Sequence, residues 1–383
     1  MKKGVWGVVL PLHLCVILLA VSGWGCGPAP TSAVPLQTGD GWQTASPAQV
    51  GLDARKLDRA AARIRDGTYP DVHGLLVVKD GKLVFEEYFS GYTWNYAGDQ
   101  FRGDLVEFDR ERRHNLASVT KSFTSALIGL AIDHGHIRSV DDAVFTYFPA
   151  YAHILDGAKS RMTLEHLLTM QSGLEWNEME LPYDDERNDL IRLFLVPDPI
   201  EYILAKPLVA QPGTVWYYNG GNTNLLGEVI RQATGQRMDA FAAEYLFAPL
   251  GITDYEWDHI NAETIHASGN LQLRPRDMAK FGVLYLNGGE WNGQPIVSQT
   301  WVEASTQLHA KPRGGGGYGY QWWLRTYDFG SEEVMAFFAA GWGGQRISVF
   351  PSLDMVVVST GGNYVAEDPV DEIITRFILP AVR

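Results

Sequence analysis

The chain has 383 residues, of which 46% are hydrophobic and 20% are charged. This balance excludes an intrinsically disordered protein and suits one large globular domain or two. The formal net charge of -14 argues against nucleic acid as the main partner, because binding to phosphates requires a basic surface.

The N-terminal segment predicts a secretory signal peptide over residues 1–26. Two lysines precede an apolar run from about residue 5 to residue 21, and small residues follow that run, as in cleavable leaders. Cys26 directly follows a glycine, which is also typical of bacterial lipoprotein signals, in which that cysteine carries the lipid. Two outcomes stay open: a cell-envelope lipoprotein tethered to the membrane through Cys26, and a periplasmic or secreted protein.

Both cysteines of the chain, Cys15 and Cys26, lie in this leader. We therefore expect the mature body to contain no disulfide and no cysteine-based metal or redox site. Residues 27–44 are rich in Pro, Gly, Ser, Thr and Ala, which predicts a linker before a domain over residues 45–383.

The domain is predicted to begin with a helix and a β-hairpin. Ser46-Pro47 opens a helical pattern in which Asp53 is a candidate N-cap. Two β-rich runs over residues 74–89 then flank Asp80-Gly81, a dipeptide that favours a tight hairpin turn.

The middle of the chain is predominantly helical. The run Asn115–Leu130 predicts a buried helix, and a glycine at position 135 predicts its end. His134 and His136 lie near two aspartates, but they lack the helical His pair and the further ligand of a metal site, so we expect no metal there. Further helical patterns cover about residues 163–170, 225–234, 237–247, 276–286 and 298–307.

Strands and helices together predict an α+β fold. One antiparallel sheet would be built from both chain ends and flanked by helices, with a large helical lobe inserted over about residues 118–300. The helix that begins near residue 118 would lie between sheet and lobe, a junction that favours a cleft. The remaining C-terminal features are a flexible glycine lip at 314–317, strands at 318–324, 334–340, 345–350 and 355–360, and a helix at 369–379.

Ser118 and Lys121 stand three residues apart at the start of the buried helical run. Residues at this spacing share one helix face, so the lysine amine can meet the serine hydroxyl. Serine is a poor nucleophile until a base takes its proton, and a lysine is that base only where its surroundings lower the amine pKa from about 10.4. Because a buried lysine requires a reason, the pair is a candidate nucleophile and base.

The order of the motifs resembles that of serine β-lactamases and penicillin-binding proteins. Ser118-Val-Thr-Lys121 is followed by Tyr217-Tyr-Asn219 and then by a glycine-rich turn that opens a late strand. The amino-acid sequence from about residue 45 onward is similar to that of the class C-type branch, which includes esterases, D-aminopeptidases and 6-aminohexanoate-dimer hydrolases. The supporting stretches are Leu167–Leu174, Pro212-Gly213, Asn224–Gly227, Pro249–Ile252 and Tyr318–Trp323.

The resemblance implies a β-lactamase/transpeptidase-like fold and a role for each motif residue. Ser118 would attack the substrate carbonyl, and Lys121 would hold or accept its proton. Tyr217 would shuttle the proton to the leaving group, and Asn219 would orient Lys121 and the bound acyl group. The oxyanion would be held by the N–H of Ser118 and by an N–H near Gly343.

The late strand departs from the family pattern. β-Lactamases and penicillin-binding proteins carry Lys-Thr-Gly there, and its cation and hydroxyl help hold the β-lactam carboxylate. Here Ala339-Ala340-Gly341 replaces it, so efficient β-lactam hydrolysis is not expected. The continuation Trp342-Gly343-Gly-Gln345 is most similar to the 6-aminohexanoate-dimer hydrolases and esterases, which makes Gly341, Trp342 and Gln345 candidates for substrate contacts.

The sequence thus predicts an exported serine hydrolase without cofactor or metal, which forms an acyl-enzyme with a small ester, an amide or a short peptide. One alternative is a D-Ala peptidase or β-lactamase, which a fluorescent penicillin would label. A second alternative is a non-catalytic surface binding protein on the same fold, which ester and fluorophosphonate probes would not label.

Overall fold

The computed structural model of the chain describes Met1 and residues 33–154 and 157–383. Apart from Met1, the predicted signal peptide lies outside these residues, as do Cys15 and Cys26, so export and lipid attachment stay predictions. Within the described ranges, no helix combines the length and the apolar character needed to cross a bilayer.

The described residues form fourteen strands. They are β1 (Val72–Lys79), β2 (Lys82–Tyr88), β3 (Ser90–Trp94), β4 (Arg102–Glu107), β5 (His114–Asn115), β6 (Glu256–Trp257), β7 (Leu271–Leu273), β8 (Glu290–Trp291), β9 (Gln294–Pro295), β10 (Gly317–Tyr318), β11 (Trp323–Phe329), β12 (Glu332–Gly341), β13 (Gln345–Phe350) and β14 (Met355–Gly361).

Seven of these strands form one antiparallel sheet, in the spatial order β10-β11-β12-β13-β14-β1-β2. The C-terminal strand β14 therefore pairs with the N-terminal strand β1, with Val77 opposite Val357. This confirms the predicted sheet built from both chain ends. It also requires the residues between β2 and β10 to fold outside this sheet.

The turn between β1 and β2 has the geometry that its sequence favours. The backbone angle φ is +52° at Asp80 and +69° at Gly81. A two-residue hairpin turn of type I′ needs positive φ at both central positions, and aspartate and glycine adopt it more readily than other residues.

Among the described residues, ten α-helices surround the sheet, and α7 and α10 each continue as a short π-helical segment. They are α1 (Ala54–Arg65), α2 (Thr120–Asp133), α3 (Leu164–Leu168), α4 (Asp189–Arg192), α5 (Pro199–Ala205), α6 (Gly220–Thr234), α7 (Met238–Ala242), α8 (Pro275–Leu286), α9 (Gln299–Thr306) and α10 (Val370–Ile373).

The two faces of the sheet bury different helices, because side chains alternate along a strand. Leu75 and Val77 of β1 pack in one core cluster with α1 and the C-terminal helix. Leu76 and Val78 pack in a second cluster with α2, α8 and the helices from the middle of the chain. The middle helices form the predicted lobe, and α2 contacts both α6 of the lobe and β12 of the sheet.

Part of the predicted linker is packed against the domain. Arg276 of α8 donates to the carbonyl of Leu36 at 2.8 Å and forms an ion pair with Asp40 at 2.9 Å. Trp42 is 2% exposed, and its indole N–H donates to the carbonyl of Arg276 at 3.3 Å. The composition of this segment predicts a linker because it reflects only local backbone preferences. Its position against the domain depends on Arg276, which lies far along the chain.

The strand predicted over 318–324 is wrong at its centre. Only β10 and β11 are extended there, because Gln321 has a left-handed φ of +64° and turns the chain between them. The amide of Gln321 donates to backbone carbonyls near the end of α3 and accepts from the hydroxyl of Thr223 at 2.8 Å. These tertiary hydrogen bonds stabilise a conformation that the local sequence pattern does not encode.

Candidate active site

Ser118 lies on a short 3₁₀ turn, Ala117–Val119, directly before α2. Ala117 has a φ of +44°, a left-handed conformation that costs a non-glycine residue about 1–2 kcal/mol. Its N–H donates to the side-chain oxygen of Asn115 at 2.8 Å, and Asn115 pairs with Gln272 in the short sheet of β5 and β7. This support holds the strained turn, on which Ser118 is half-buried and lines a large cleft.

Lys121 is buried in the first turn of α2, with 2% of its surface exposed. Its Nζ lies 2.9 Å from Ser118 Oγ and donates to the main-chain carbonyl of Ser268 at 2.7 Å. Nζ also lies 4.8 Å from the centre of the Tyr218 ring, within the range of a cation–π contact. The structure therefore brings Ser118 and Lys121 together, as their helical spacing predicts, although their roles stay predictions.

The two adjacent tyrosines have different partners. Tyr217, predicted as the proton shuttle, donates its hydroxyl to the carboxylate of Glu180. Burial, together with this carboxylate, raises the pKa of Tyr217 well above its ordinary value. The ring that faces the Lys121 amine belongs to Tyr218 instead, because adjacent side chains of a non-helical segment point in different directions. The structure thus places Tyr218, the residue after the predicted tyrosine, against the Lys121 amine.

Asn219 serves as the N-cap of α6, where its Oδ1 accepts from the N–H of Asn222 at 3.0 Å. Its Nδ2 has no hydrogen-bond partner among the described residues, so the predicted bond that would orient Lys121 is not formed. The carbonyl of Ser268 holds the amine instead, and the Ser268 hydroxyl accepts from Nδ2 of Asn224 at 3.0 Å.

The end of strand β12 lies directly against the Ser118 turn. A Cβ placed on Gly341 would lie 2.3 Å from the carbonyl oxygen of Leu116 and 3.1 Å from the nitrogen of Ser118. Only glycine permits so close an approach of two backbones. Gly341 and Trp342 line the cleft together with Ser118, so their backbone lies beside the serine N–H, as an oxyanion site requires.

Gly343 and Gln345, also predicted for the site, do not line the cleft. Gly343 has a φ of +92°, and its carbonyl accepts from the N–H of Asn363 at 3.1 Å. Gln345 is fully buried, with Nε2 donating to the Gly361 carbonyl at 2.6 Å and Oε1 accepting from the Gly361 N–H at 3.1 Å. Both residues therefore stabilise the turn after β12 and do not face a substrate.

The cleft has a volume of about 1500 Å³ and an aromatic wall. The ring centre of Trp342 lies 4.8 Å from that of Tyr183 and 4.8 Å from that of Phe101. Its indole N–H donates to the carbonyl of Tyr364 at 2.9 Å, which fixes the plane of the ring. Because small-molecule pockets usually have about 300–1000 Å³, this cleft can hold an extended ligand.

Acidic side chains outnumber basic ones along the cleft. Among the described residues that line it, Arg313 alone is basic. Glu178 is buried and accepts from the N–H of Gly220 at 2.7 Å, at the start of α6. The exposed acidic residues of the lining, Glu175, Glu180 and Asp184, form no ion pair with any described residue. The acidic lining residues are Glu175, Glu178, Glu180 and Asp184.

Sequence reasoning missed three residues around the amine. Tyr218 could have been considered, since it stands beside the predicted tyrosine. Ser268 contributes a main-chain carbonyl, which leaves no side-chain signal in the sequence. His266 is 4% exposed, and burial, together with the charge of Lys121, lowers its pKa to about 3, so the ring is neutral near pH 7.

Comparisons with known proteins give a family match and several relatives. The family model described as Beta-lactamase matches residues 60–371 of the chain. A candidate D-alanyl-D-alanine carboxypeptidase of Salmonella typhimurium is 28% identical over 218 residues, which are 55% of this chain and 49% of the relative. The chain thus spans about half the length of the curated relatives it matches.

Solved structures show the same fold. A candidate 6-aminohexanoate-dimer hydrolase from Bacillus anthracis is 25% identical, with a TM-score of 0.66, over 81% of this chain and 78% of its own. A family VIII carboxylesterase is 19% identical, with a TM-score of 0.65, over 85% of this chain and 96% of its own. The second likeness shows the fold alone.

Proposed function

The chain belongs to the beta-lactamase family of serine hydrolases, and on that premise we propose that it is an esterase or amidase that forms an acyl-enzyme at Ser118. The observation that carries this proposal is the 2.9 Å contact between Ser118 Oγ and Lys121 Nζ inside the cleft. Serine becomes a nucleophile only when an adjacent base takes its proton, and Lys121 is the basic group in contact with it.

Acylation requires the amine of Lys121 in its neutral form, since a base must have a free electron pair. One N–H of the amine is held by the Ser268 carbonyl, which leaves the nitrogen lone pair free to face Ser118 Oγ. The amine takes the hydroxyl proton as Oγ bonds to the substrate carbonyl carbon. General-base catalysis of this kind contributes typically 10²–10⁴-fold to a rate.

The negative charge that develops on the substrate oxygen needs preorganised donors. We assign this task to the N–H of Ser118 and to a backbone N–H of Gly341 or Trp342, which lie at the same place on the cleft wall. This assignment replaces the N–H near Gly343 that the sequence suggests, because Gly343 does not line the cleft.

The tyrosine role passes from Tyr217 to Tyr218. The Tyr218 ring lies against the Lys121 amine, so its hydroxyl is the phenol placed to relay the proton to the leaving group. The C–O or C–N bond of the substrate then breaks and the leaving group departs as an alcohol or amine. Water attacks the acyl-enzyme by the reverse proton path and releases the acid and free Ser118.

The late strand favours an ester or a simple amide over a β-lactam. Ala340 lines the cleft at the position where the family pattern has a hydroxyl, and Ala339 is buried where it has a cation. Neither alanine can bind the carboxylate of a β-lactam. Arg313 is exposed at the cleft and offers a carboxylate only a screened surface partner, worth about 0–1 kcal/mol.

A D-Ala peptidase is the second candidate, because curated relatives carry a carboxypeptidase name. Intact-mass spectrometry after incubation with p-nitrophenyl butyrate, D-alanine amides and benzylpenicillin separates the candidates. A butyryl adduct on Ser118 without a penicilloyl adduct supports the esterase, and a stable penicilloyl adduct would support the peptidase.

Ser118→Ala tests the nucleophile directly. We expect it to remove every covalent adduct and ester hydrolysis, while the melting temperature stays near that of the wild type. Ser160→Ala is the matched control, because this serine is exposed and its hydroxyl donates to the neighbouring carbonyl of Gly157. Hydrolysis at the wild-type rate by Ser118→Ala would refute the assignment.

We also propose that the protein is exported, on the strength of the basic and apolar leader in the sequence. Cell fractionation with and without a Cys26→Ser substitution tests this. Release from the membrane fraction by the substitution supports lipid attachment at Cys26, and cytoplasmic retention of the wild type would contradict export.

A further inference from the structure

We propose that Glu180 makes the active-site cleft selective for substrates that carry a positive charge. This inference rests on the proposed hydrolase function and names the class of its substrate: an ester or amide with an ammonium group on its acyl or leaving part. Hydrolysis follows the same bond changes at Ser118, and the ammonium group itself does not react.

Glu180 is exposed and lines the same cleft as Ser118. Its carboxylate accepts from the Tyr217 hydroxyl, and the next residue, Tyr218, holds its ring against Lys121. The carboxylate is thereby fixed to the segment that contacts the catalytic amine. Because the Tyr217 phenol is neutral, its hydrogen bond does not neutralise the Glu180 carboxylate. The negative charge of Glu180 is therefore available to a ligand.

The other charged residues of the cleft add to the negative potential around Glu180. Glu175 and Asp184 line the cleft, and neither has a basic partner among the described residues. Arg313 is the single cation among the described residues that line the cleft. Clefts lined by one sign of charge concentrate ligands of the opposite sign.

The aromatic wall points to the same ligand chemistry. Trp342 and Tyr183 line the cleft with ring centres 4.8 Å apart, in the neighbourhood of Glu180 and Asp184 along the segment that carries Tyr183. Tryptophan and tyrosine faces attract alkylammonium groups, quaternary ones included. A cleft lined by both carboxylates and aromatic rings therefore favours an ammonium over both a neutral and an anionic group.

The test compares three p-nitrophenyl esters: 4-(trimethylammonio)butanoate, its neutral isostere 5,5-dimethylhexanoate, and the hemiester of glutarate. Each kcat/KM is divided by the spontaneous hydrolysis rate of the ester. We expect the cationic ester to exceed the neutral one about tenfold at low salt, and the anionic ester to be the slowest. The preference should shrink in 0.5 M NaCl, because salt screens exposed charges.

Glu180→Gln should lower the ratio of cationic to neutral kcat/KM by up to about fivefold, which corresponds to one exposed ion pair. Glu186→Gln is the matched control, since this exposed carboxylate belongs to the same segment but does not line the cleft, and it should leave the ratio unchanged. An unchanged ratio in Glu180→Gln would overturn the role of this residue.

The assays separate the charge preference of the cleft from the hydrolase activity itself. Equal rates for the cationic and neutral esters, with complete labelling of Ser118 by a fluorophosphonate, would overturn the charge preference and leave the hydrolase intact. The absence of both labelling and hydrolysis would overturn the hydrolase, and with it the inference.

Discussion

Tyr217 and Tyr218 offer the sharpest test of the site, because the sequence motif favours the first and the structure favours the second. We predict that Tyr218→Phe disables the enzyme and that Tyr217→Phe does not. Each substitution removes one hydroxyl and keeps the ring, so packing and the cation–π contact of Tyr218 with Lys121 are preserved.

The expected magnitudes follow from the contacts. A phenol that relays a proton in the transition state contributes about 10²–10⁴-fold, so Tyr218→Phe should lower kcat for an amide by at least a hundredfold. Among the described residues, the Tyr217 hydroxyl bonds only to exposed Glu180, and a surface contact of this kind is worth at most about 1 kcal/mol. Tyr217→Phe should therefore lower kcat/KM for a neutral ester less than about fivefold.

The assay is steady-state hydrolysis of p-nitrophenyl butyrate and of a matching anilide, normalised to the fraction of Ser118 that a fluorophosphonate labels. The anilide loss should exceed the ester loss in Tyr218→Phe, because the poorer leaving group depends more on proton donation. A full loss in Tyr217→Phe, with wild-type rates in Tyr218→Phe, would refute the geometric argument and restore the motif assignment.

Three further predictions concern the frame of the site. Arg276→Ala leaves the buried carboxylate of Glu86 without its 2.6 Å partner, so urea denaturation should show a loss of about 3–5 kcal/mol; an unchanged midpoint would contradict this. Gly341→Ala forces β12 away from the Ser118 turn and should lower kcat roughly a hundredfold, whereas Gly251→Ala, whose added Cβ meets no described residue within 4 Å, should not. Burial lowers the pKa of His73 to about 2 and of His114 to about 4, below the unfolded value near 6.5. As the pH drops from 6.5 toward 4, the unfolded chain therefore binds protons before the folded one does. The free energy of unfolding should fall over this range by about 1.4 kcal/mol per pH unit for each histidine. A free energy of unfolding that stays constant between pH 6.5 and 5 would contradict this prediction.

Elements with a strong local signal were predicted correctly from the sequence. The Asp80-Gly81 turn adopts the positive φ angles that its residues favour, and Asp53 caps α1 by accepting from the N–H of Arg55. The helical spacing of Ser118 and Lys121 is also a local property, so their contact could be predicted without knowledge of the fold.

The parts of the site that depend on distant residues could not be predicted in this way. The turn at Gln321 is held by hydrogen bonds to α3 and Thr223, and the Ser268 carbonyl reaches Lys121 from a residue far along the chain. Asn219 shows a competition between two roles: the helix N-terminus needs a side-chain acceptor, and that cap takes the oxygen that the motif assigns to Lys121.

Two other lysines show how the surroundings of Lys121 differ from those of a lysine in an ion pair. Lys280 is 1% exposed and forms an ion pair with Asp277 at 2.8 Å, and half-buried Lys206 forms one with Asp189 at 2.5 Å. A carboxylate stabilises the ammonium form, and so holds the proton that a base must be able to give up and regain. Within the described residues, the polar contacts of Lys121 Nζ are a hydroxyl and a carbonyl, without a carboxylate. The fold thus places this amine between the Ser118 hydroxyl and the Ser268 carbonyl, so that the serine proton lies within its reach.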